Sequence, residues 1–218
     1  MANTRKMTRR GRTILTALIL VAVLAVTAVI GFVSAKYMEQ SVLPGKISIS
    51  ATLAQSIEIY EHEAERTEHG DYVTTADTTD GNVYKIMPGV DIPKDPTVKV
   101  TGYTGLDAWL YVEVTEDGVP ATVTYTVDSD IWQPLKDENG AQVTGPNNGK
   151  IYYKELTEDD AGDVVLQILK ADTNGNTITV SQDVARDTDL KLGFYAFITQ
   201  KISADPAADF TQSFADNG

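Results

Sequence analysis

Pro88–Val100 reads PGVDIPKDPTVKV, with three of the chain's eight prolines placed just ahead of an alternating run. Proline cannot donate to a ladder and holds its own φ, and the residues before Pro93 and Pro96 are pushed toward extended backbone. The stretch therefore reads as a stiff, extended lead-in that delivers the chain to the Val98 strand in one register. Proline-guarded strand starts are common, so its meaning depends on the surrounding sequence.

Outward from this stretch the apolar period is near two, not 3.6. Lys46–Ile59, Thr97–Val100, Ala108–Val114, Ala121–Val127, Ile151–Lys154, Val164–Leu169, Thr177–Val180 and Leu190–Ile202 are β-type runs, several rich in Val, Ile, Thr and Tyr. Asn139-Gly140, Asn148-Gly149 and Asn174-Gly175 offer the left-handed positions of tight turns, and Asn174-Gly175 predicts a hairpin between strand-like flanks. Eight or more short strands without a convincing helix predict an all-β antiparallel sandwich or jelly roll. Glu61–Gly70 (EHEAERTEHG) is the exception and reads as a short helix or a charged loop. The segment from Asp205 reads as a partly ordered tail.

The first 35 residues follow a different grammar. Arg5, Lys6, Arg9, Arg10 and Arg12 precede an apolar run from Ile14 to Val33, and small residues close it at Ser34-Ala35. Basic, apolar, small is the order of a secretory signal, with cleavage between Ala35 and Lys36. Twenty residues are also about enough to span a bilayer, so a retained anchor with its basic end inside stays open. Either reading places the rest of the chain outside the cytoplasm. The whole chain carries 18 Lys and Arg against 31 Asp and Glu; without the leader's five bases, 13 against 31 leaves −18. A surface so acidic repels nucleic acid and anionic lipid. With no cysteine, an exported domain must rely on its core instead of disulfides.

Catalytic patterns come close and miss. His62-Glu63-Ala64-Glu65-Arg66 resembles a zincin helix, but Arg66 stands where the second histidine is required and His69 is the one other histidine in the chain. Asp172–Asn176 suggests a calcium loop, yet its glycine falls too early and no glutamate closes it. Glu158-Asp159-Asp160 reads as a solvated face. No catalytic residue, metal or cofactor is expected.

In combination the pieces resemble the TasA/camelysin family of secreted proteins, whose signal is processed by a dedicated SipW-type peptidase. The resemblance runs through a long signal, a first strand after Gly45, and the block Pro88, Gly89, Pro93, Lys94, Pro96 and Val98. It continues in the aromatic strand Gly105–Val114 with Trp109, in Trp132 and Tyr152-Tyr153, and in a last strand, Gly193–Gln200, ending at Gln200. Departures are a mature start of Lys36-Tyr37-Met38-Glu39-Gln40 and an unusually aromatic last strand.

The resemblance implies a jelly roll over 46–204, preceded by the signal (1–35) and an amino-terminal segment (36–45), and followed by a tail (205–218). It also implies extracellular matrix or biofilm fibres, a head-to-tail polymer of the chain with itself. The leading segment Lys36–Leu43, through Tyr37, Met38, Val42 and Leu43, would add as a donor strand to the next subunit. The alternatives are a membrane-anchored adhesin or ligand-binding module and, distantly, a camelysin-like metalloprotease.

Overall fold

The computed structural model describes residues 40–42, 53–69, 72–79, 84–184 and 188–215. The leader, Pro44-Gly45 and the first half of the expected Lys46–Ile59 strand lie outside them. The strands are β1 (Gln40–Val42), β2 (Ser56–Arg66), β3 (Tyr72–Thr78), β4 (Tyr84–Ile86), β5 (Thr97–Tyr103), β6 (Ala108–Asp117), β7 (Val123–Tyr125), β8 (Gln133–Pro134), β9 (Lys150–Leu156), β10 (Gly162–Gln167), β11 (Ile178–Val180) and β12 (Thr188–Gln200). One helix, α1 (Pro206–Ala215), follows. The protein is all-β and antiparallel.

The first sheet runs β1-β12-β6-β9-β8, with β4 also pairing β12; the second runs β10-β5-β2-β3; β7 and β11 pair separately. Alternation sends Leu110, Val112, Val114, Phe194, Ala196 and Ile198 of the first sheet into one core with Ile57, Ile59, Val98 and Val100 of the second. Each Val, Leu, Ile or Phe among them contributes about 1.5–3 kcal/mol on full burial. β6 is buried along both faces, because Trp109 and Tyr111 pack in a second cluster with Ile151, Phe197 and Phe210 of α1. That double burial explains why AWLYVEV reads as nearly continuous apolar sequence.

The proline-rich lead-in is a continuation of β5. Burial alternates without a break from Ile92 to Val100, with Ile92, Lys94, Pro96, Val98 and Val100 inward. Pro88-Gly89 makes the turn before it. The Val90 amide donates to the Met87 carbonyl at 3.1 Å, and Gly89 has φ +71°, a type II arrangement with proline and glycine in their preferred places. A side chain there would also meet Gln182 Nε2 at 1.9 Å. Ile92 then bridges Ile178, and the Ile168 amide donates to the Pro96 carbonyl at 2.8 Å. Replacing Pro93 and Pro96 together by glycine should destabilise by about 1 kcal/mol or somewhat more, largely through a freer unfolded chain. An unchanged melting temperature would show the prolines to be incidental to folding.

Three expectations are corrected. Glu61–Arg66 is neither helix nor loop: it completes the eleven-residue β2 and pairs with β3, Glu61 opposite Thr78 and Arg66 opposite Tyr72. Cross-strand partners override its high charge. Asn174-Gly175 does form a tight turn, with Gly175 at φ +86° and the Asp172 amide donating to the Asn176 carbonyl at 2.7 Å. It does not join a β10–β11 hairpin, however, because β10 pairs β5 and β11 pairs β7. The expected tail contains a ten-residue helix whose first amides are capped by Asp205; Ala207 N–H donates to Asp205 Oδ1 at 2.9 Å.

Candidate functional site

Period-two alternation on two strands creates the most unusual feature of the core. After Ile57 and Ile59, the next inward position of β2 is Glu61; two residues before Pro96, the inward position of the lead-in is Lys94. Glu61 is 1% exposed and Lys94 4%, and Lys94 Nζ donates to Glu61 Oε2 at 2.6 Å. The ammonium also lies 5.2 Å from the Tyr84 ring and 5.6 Å from the Phe194 ring, so both sheets contribute to its surroundings. The Thr177 hydroxyl donates to the Lys94 carbonyl, tying the lead-in to the residue before β11. A charge buried this deeply is tolerable only when paired.

The next residue of each segment forms a second, more exposed contact. His62 N–H donates to Asp95 Oδ1 at 3.0 Å, and the ring contacts Asp95 Oδ2 through Nδ1. Its Nε2 lies 3.3 Å from Asp77 Oδ1 on β3. The hydrogen bond to Asp95, reinforced by the charges of Asp95 and Asp77, holds the imidazolium above its ordinary pKa range despite partial burial.

Of the proposed donor segment, Val42 lies in β1, opposite Tyr195; Ala35, Lys36, Tyr37, Met38 and Leu43 lie outside the described residues. β1 is the outermost strand of its sheet, and pairs with β12 at Gln40–Phe197, Ser41–Ala196 and Val42–Tyr195. Of the motif residues, Pro88 and Gly89 make the turn before the lead-in and Pro93, Lys94 and Pro96 lie in it, whereas Trp109 and Gln200 fall at the far end of the β6–β12 pair. There Trp109 faces Thr199 and Gln200 faces Ala108.

Trp109 anchors the helix. Its Nε1–H donates to Asp209 Oδ2 at 3.0 Å, and the same oxygen accepts from the amides of Ile202 and Ser203 at 2.8 and 2.9 Å. Tyr111 Oη–H donates to the Pro206 carbonyl at 2.9 Å, and its ring meets Phe210 edge-on at 5.0 Å. Burial pushes the Asp209 carboxyl up, but donors from Ser203, Ile202 and Trp109 outweigh it and hold the pKa below the ordinary value. The stability this contributes is fully present above the unfolded carboxyl value of about 3.9 and is lost as pH falls through the lower folded value. Asp209→Asn should cost about 1.5–3 kcal/mol at neutral pH, and the difference from wild type should shrink on acidification. A constant difference from pH 7 to pH 2 would contradict this account.

Glu113, also on the outer face of β6, is fully buried and is capped by a loop. It accepts from the amides of Asn147 and Gly149 at 2.9 and 2.7 Å and from Asn147 Nδ2 at 2.9 Å. A side chain at Gly149 would meet Glu113 Cγ at 2.6 Å. Trp132 donates from Nε1 to the Gln167 carbonyl at 2.9 Å, and Tyr153 packs edge-on against Trp109 at 5.6 Å.

His62 sits on a strand, where a residue four positions on is about 13 Å away by strand rise, so the zincin arrangement cannot form there. Among the described residues no group of three His, Asp or Glu side chains is placed to hold a metal ion. The Asp172 carboxylate accepts from the amides of Asn174 and Asn176 at 2.7 and 2.9 Å, serving its own turn. Glu158–Asp160 forms one 3-10 turn. Among the described residues no helix is long and apolar enough to cross a membrane.

Sequence reasoning missed Glu61 and Asp209. Glu61 was readable as an acid at an inward position after Ile57 and Ile59, which calls for a buried cation. Asp205-Pro206, an N-cap followed by proline at the first helical position, signalled the helix that carries Asp209.

Fold and site together define an antiparallel β-domain in which a buried ion pair ties β2 to the lead-in of β5 and whose β12 edge is closed by a short strand from near the amino terminus. Set against protein-family models, curated proteins and solved structures, the chain matches none.

Proposed function

We propose that this chain is a secreted structural subunit, jelly-roll-like in topology, that polymerises into extracellular surface or biofilm-matrix fibres. Each copy lends its leading strand to the next. One observation carries the reading: β1 lies within the segment proposed as donor and closes the edge of β12 through three residue pairs. An identical strand from a neighbouring copy can make the same backbone hydrogen bonds, so exchange loses little contact energy. Such a head-to-tail contact propagates without closing. The leader fits export through a SipW-type peptidase, leaving Lys36 as the free end of the donor. Because Ile14–Val33 is also long enough to span a bilayer, the second reading is an anchored cell-surface adhesin or ligand-binding module.

The test is negative-stain microscopy of two chains, one starting at Lys36 and one at Gly45. The first should give fibres and the second a folded, soluble monomer that cannot elongate. Indistinguishable fibres from both would place the polymer contact elsewhere. A membrane-bound product that retains Arg5–Arg12 would favour the anchored reading.

A further inference from the structure

The His62 ring stands between carboxylates from two other parts of the chain. Nδ1 contacts Asp95 of the lead-in, and Nε2 lies 3.3 Å from Asp77 of β3. A carboxylate oxygen only accepts, and a neutral imidazole has a hydrogen on one nitrogen alone. Both contacts are therefore attractive only when both ring nitrogens are protonated. Deprotonation turns one of them into a lone pair facing a carboxylate. From this geometry we propose that His62 is a proton-operated clasp that fastens β3, the edge strand of its sheet, to β2 and the lead-in.

The two contacts are unequal. Asp95 also accepts the His62 backbone N–H at 3.0 Å, and its side chain is 20% exposed. Asp77 is 66% exposed, so it is the partner released when the proton leaves. Charged groups of the described residues that face the ring include Asp95 from the lead-in and Asp77 from β3. On β2 itself the neighbouring Glu61 turns inward and is paired with Lys94, and Tyr60 lies beside the same two aspartates. The side chains of Val73 to Asp77 are all exposed, so apart from Tyr72, which packs edge-on against Tyr84 at the start of the strand, little apolar burial opposes release of its far end. The imidazolium's raised pKa agrees in direction: the clasp is closed at acidic pH and opens as pH rises through the folded value. An exported protein meets a varying external pH, and His62 is 44% exposed, open to protons from solvent.

The experiment uses the chain beginning at Lys36 and does not depend on whether it polymerises. Histidine C2–H exchange, read by mass spectrometry across pH, gives the His62 midpoint. Amide exchange of the Tyr72–Thr78 peptide, corrected for its intrinsic pH dependence, gives the opening of β3. Protection of that peptide should fall as pH rises through the His62 midpoint, Asp77→Asn should lower the midpoint, and His62→Gln should abolish the pH response. Protection that ignores the midpoint, or a midpoint unmoved by Asp77→Asn, overturns the proposal. If His62→Gln fails to fold, the Asp77→Asn shift and the wild-type profile still decide it.

Discussion

On the proposed strand exchange, a disulfide joining β1 to its own β12 should abolish fibre growth, and reduction should restore it. Ser41 and Ala196 are register partners, and cross-strand Cβ atoms stand about 4.5–5.5 Å apart, close to disulfide reach. The chain contains no cysteine, so Ser41→Cys with Ala196→Cys introduces the sole possible bridge. Oxidised as a monomer, the variant keeps its leading strand at home and has nothing to lend. Reduced, allowed to assemble and then oxidised, it should run as a covalent ladder on a denaturing gel, because exchange would make the next subunit the partner of each donor strand. Oxidised monomer that elongates as fast as the reduced form would end the exchange model, even if fibres form by another contact.

The second large effect is on stability. Lys94→Met removes the ammonium that pairs with Glu61 and leaves a carboxylate 1% exposed in the shared core. Breaking a buried pair from one side costs about 3–5 kcal/mol, mostly the penalty of the charge left behind. Replacing both partners, Lys94→Met with Glu61→Leu, should recover most of that loss and could exceed wild type, since an apolar pair carries no desolvation cost. Urea midpoints at unchanged slope would measure both variants. A single-variant loss below about 1 kcal/mol would mean that water or a rearranged side chain reaches Glu61. In that case the pair does not hold the lead-in against β2.

The pair also shows what the lead-in does for β2. Lys94 stands inside because Pro93 and Pro96 keep the backbone extended and the alternation of β5 running backward to Ile92. A helical or bent approach would turn the lysine to solvent and take the ammonium away from Glu61. The prolines, the buried cation and the register of β5 are thus one device. Its outer half, Asp95 on His62, repeats the connection one residue further along at the surface.

The sequence by itself determined the main core strands, because a period of two is a local property, but not β3 or β4. Thr97–Val100, Ala108–Val114, Ile151–Lys154 and Leu190–Ile202 all lie largely within strands β5, β6, β9 and β12. It also determined the stiff extension through Pro93 and Pro96, since proline acts through its own dihedral and the residue before it, whereas the turn at Pro88-Gly89 was not read from the sequence. Tertiary structure alone decided which strands pair. Nothing local distinguishes a β10–β11 hairpin from the observed β10–β5 and β11–β7 pairings, because both satisfy the same backbone donors. It likewise made a strand of the charged Glu61–Arg66, whose ladder partners and buried lysine lie far along the chain. The roles of Trp109 and Asp209 were settled in the same way, by a helix that folds back over β6 to bring a carboxylate within hydrogen-bond reach of an indole 100 residues away in sequence. Local preference sets the geometry of each piece, whereas burial and hydrogen-bond satisfaction between distant pieces select the arrangement.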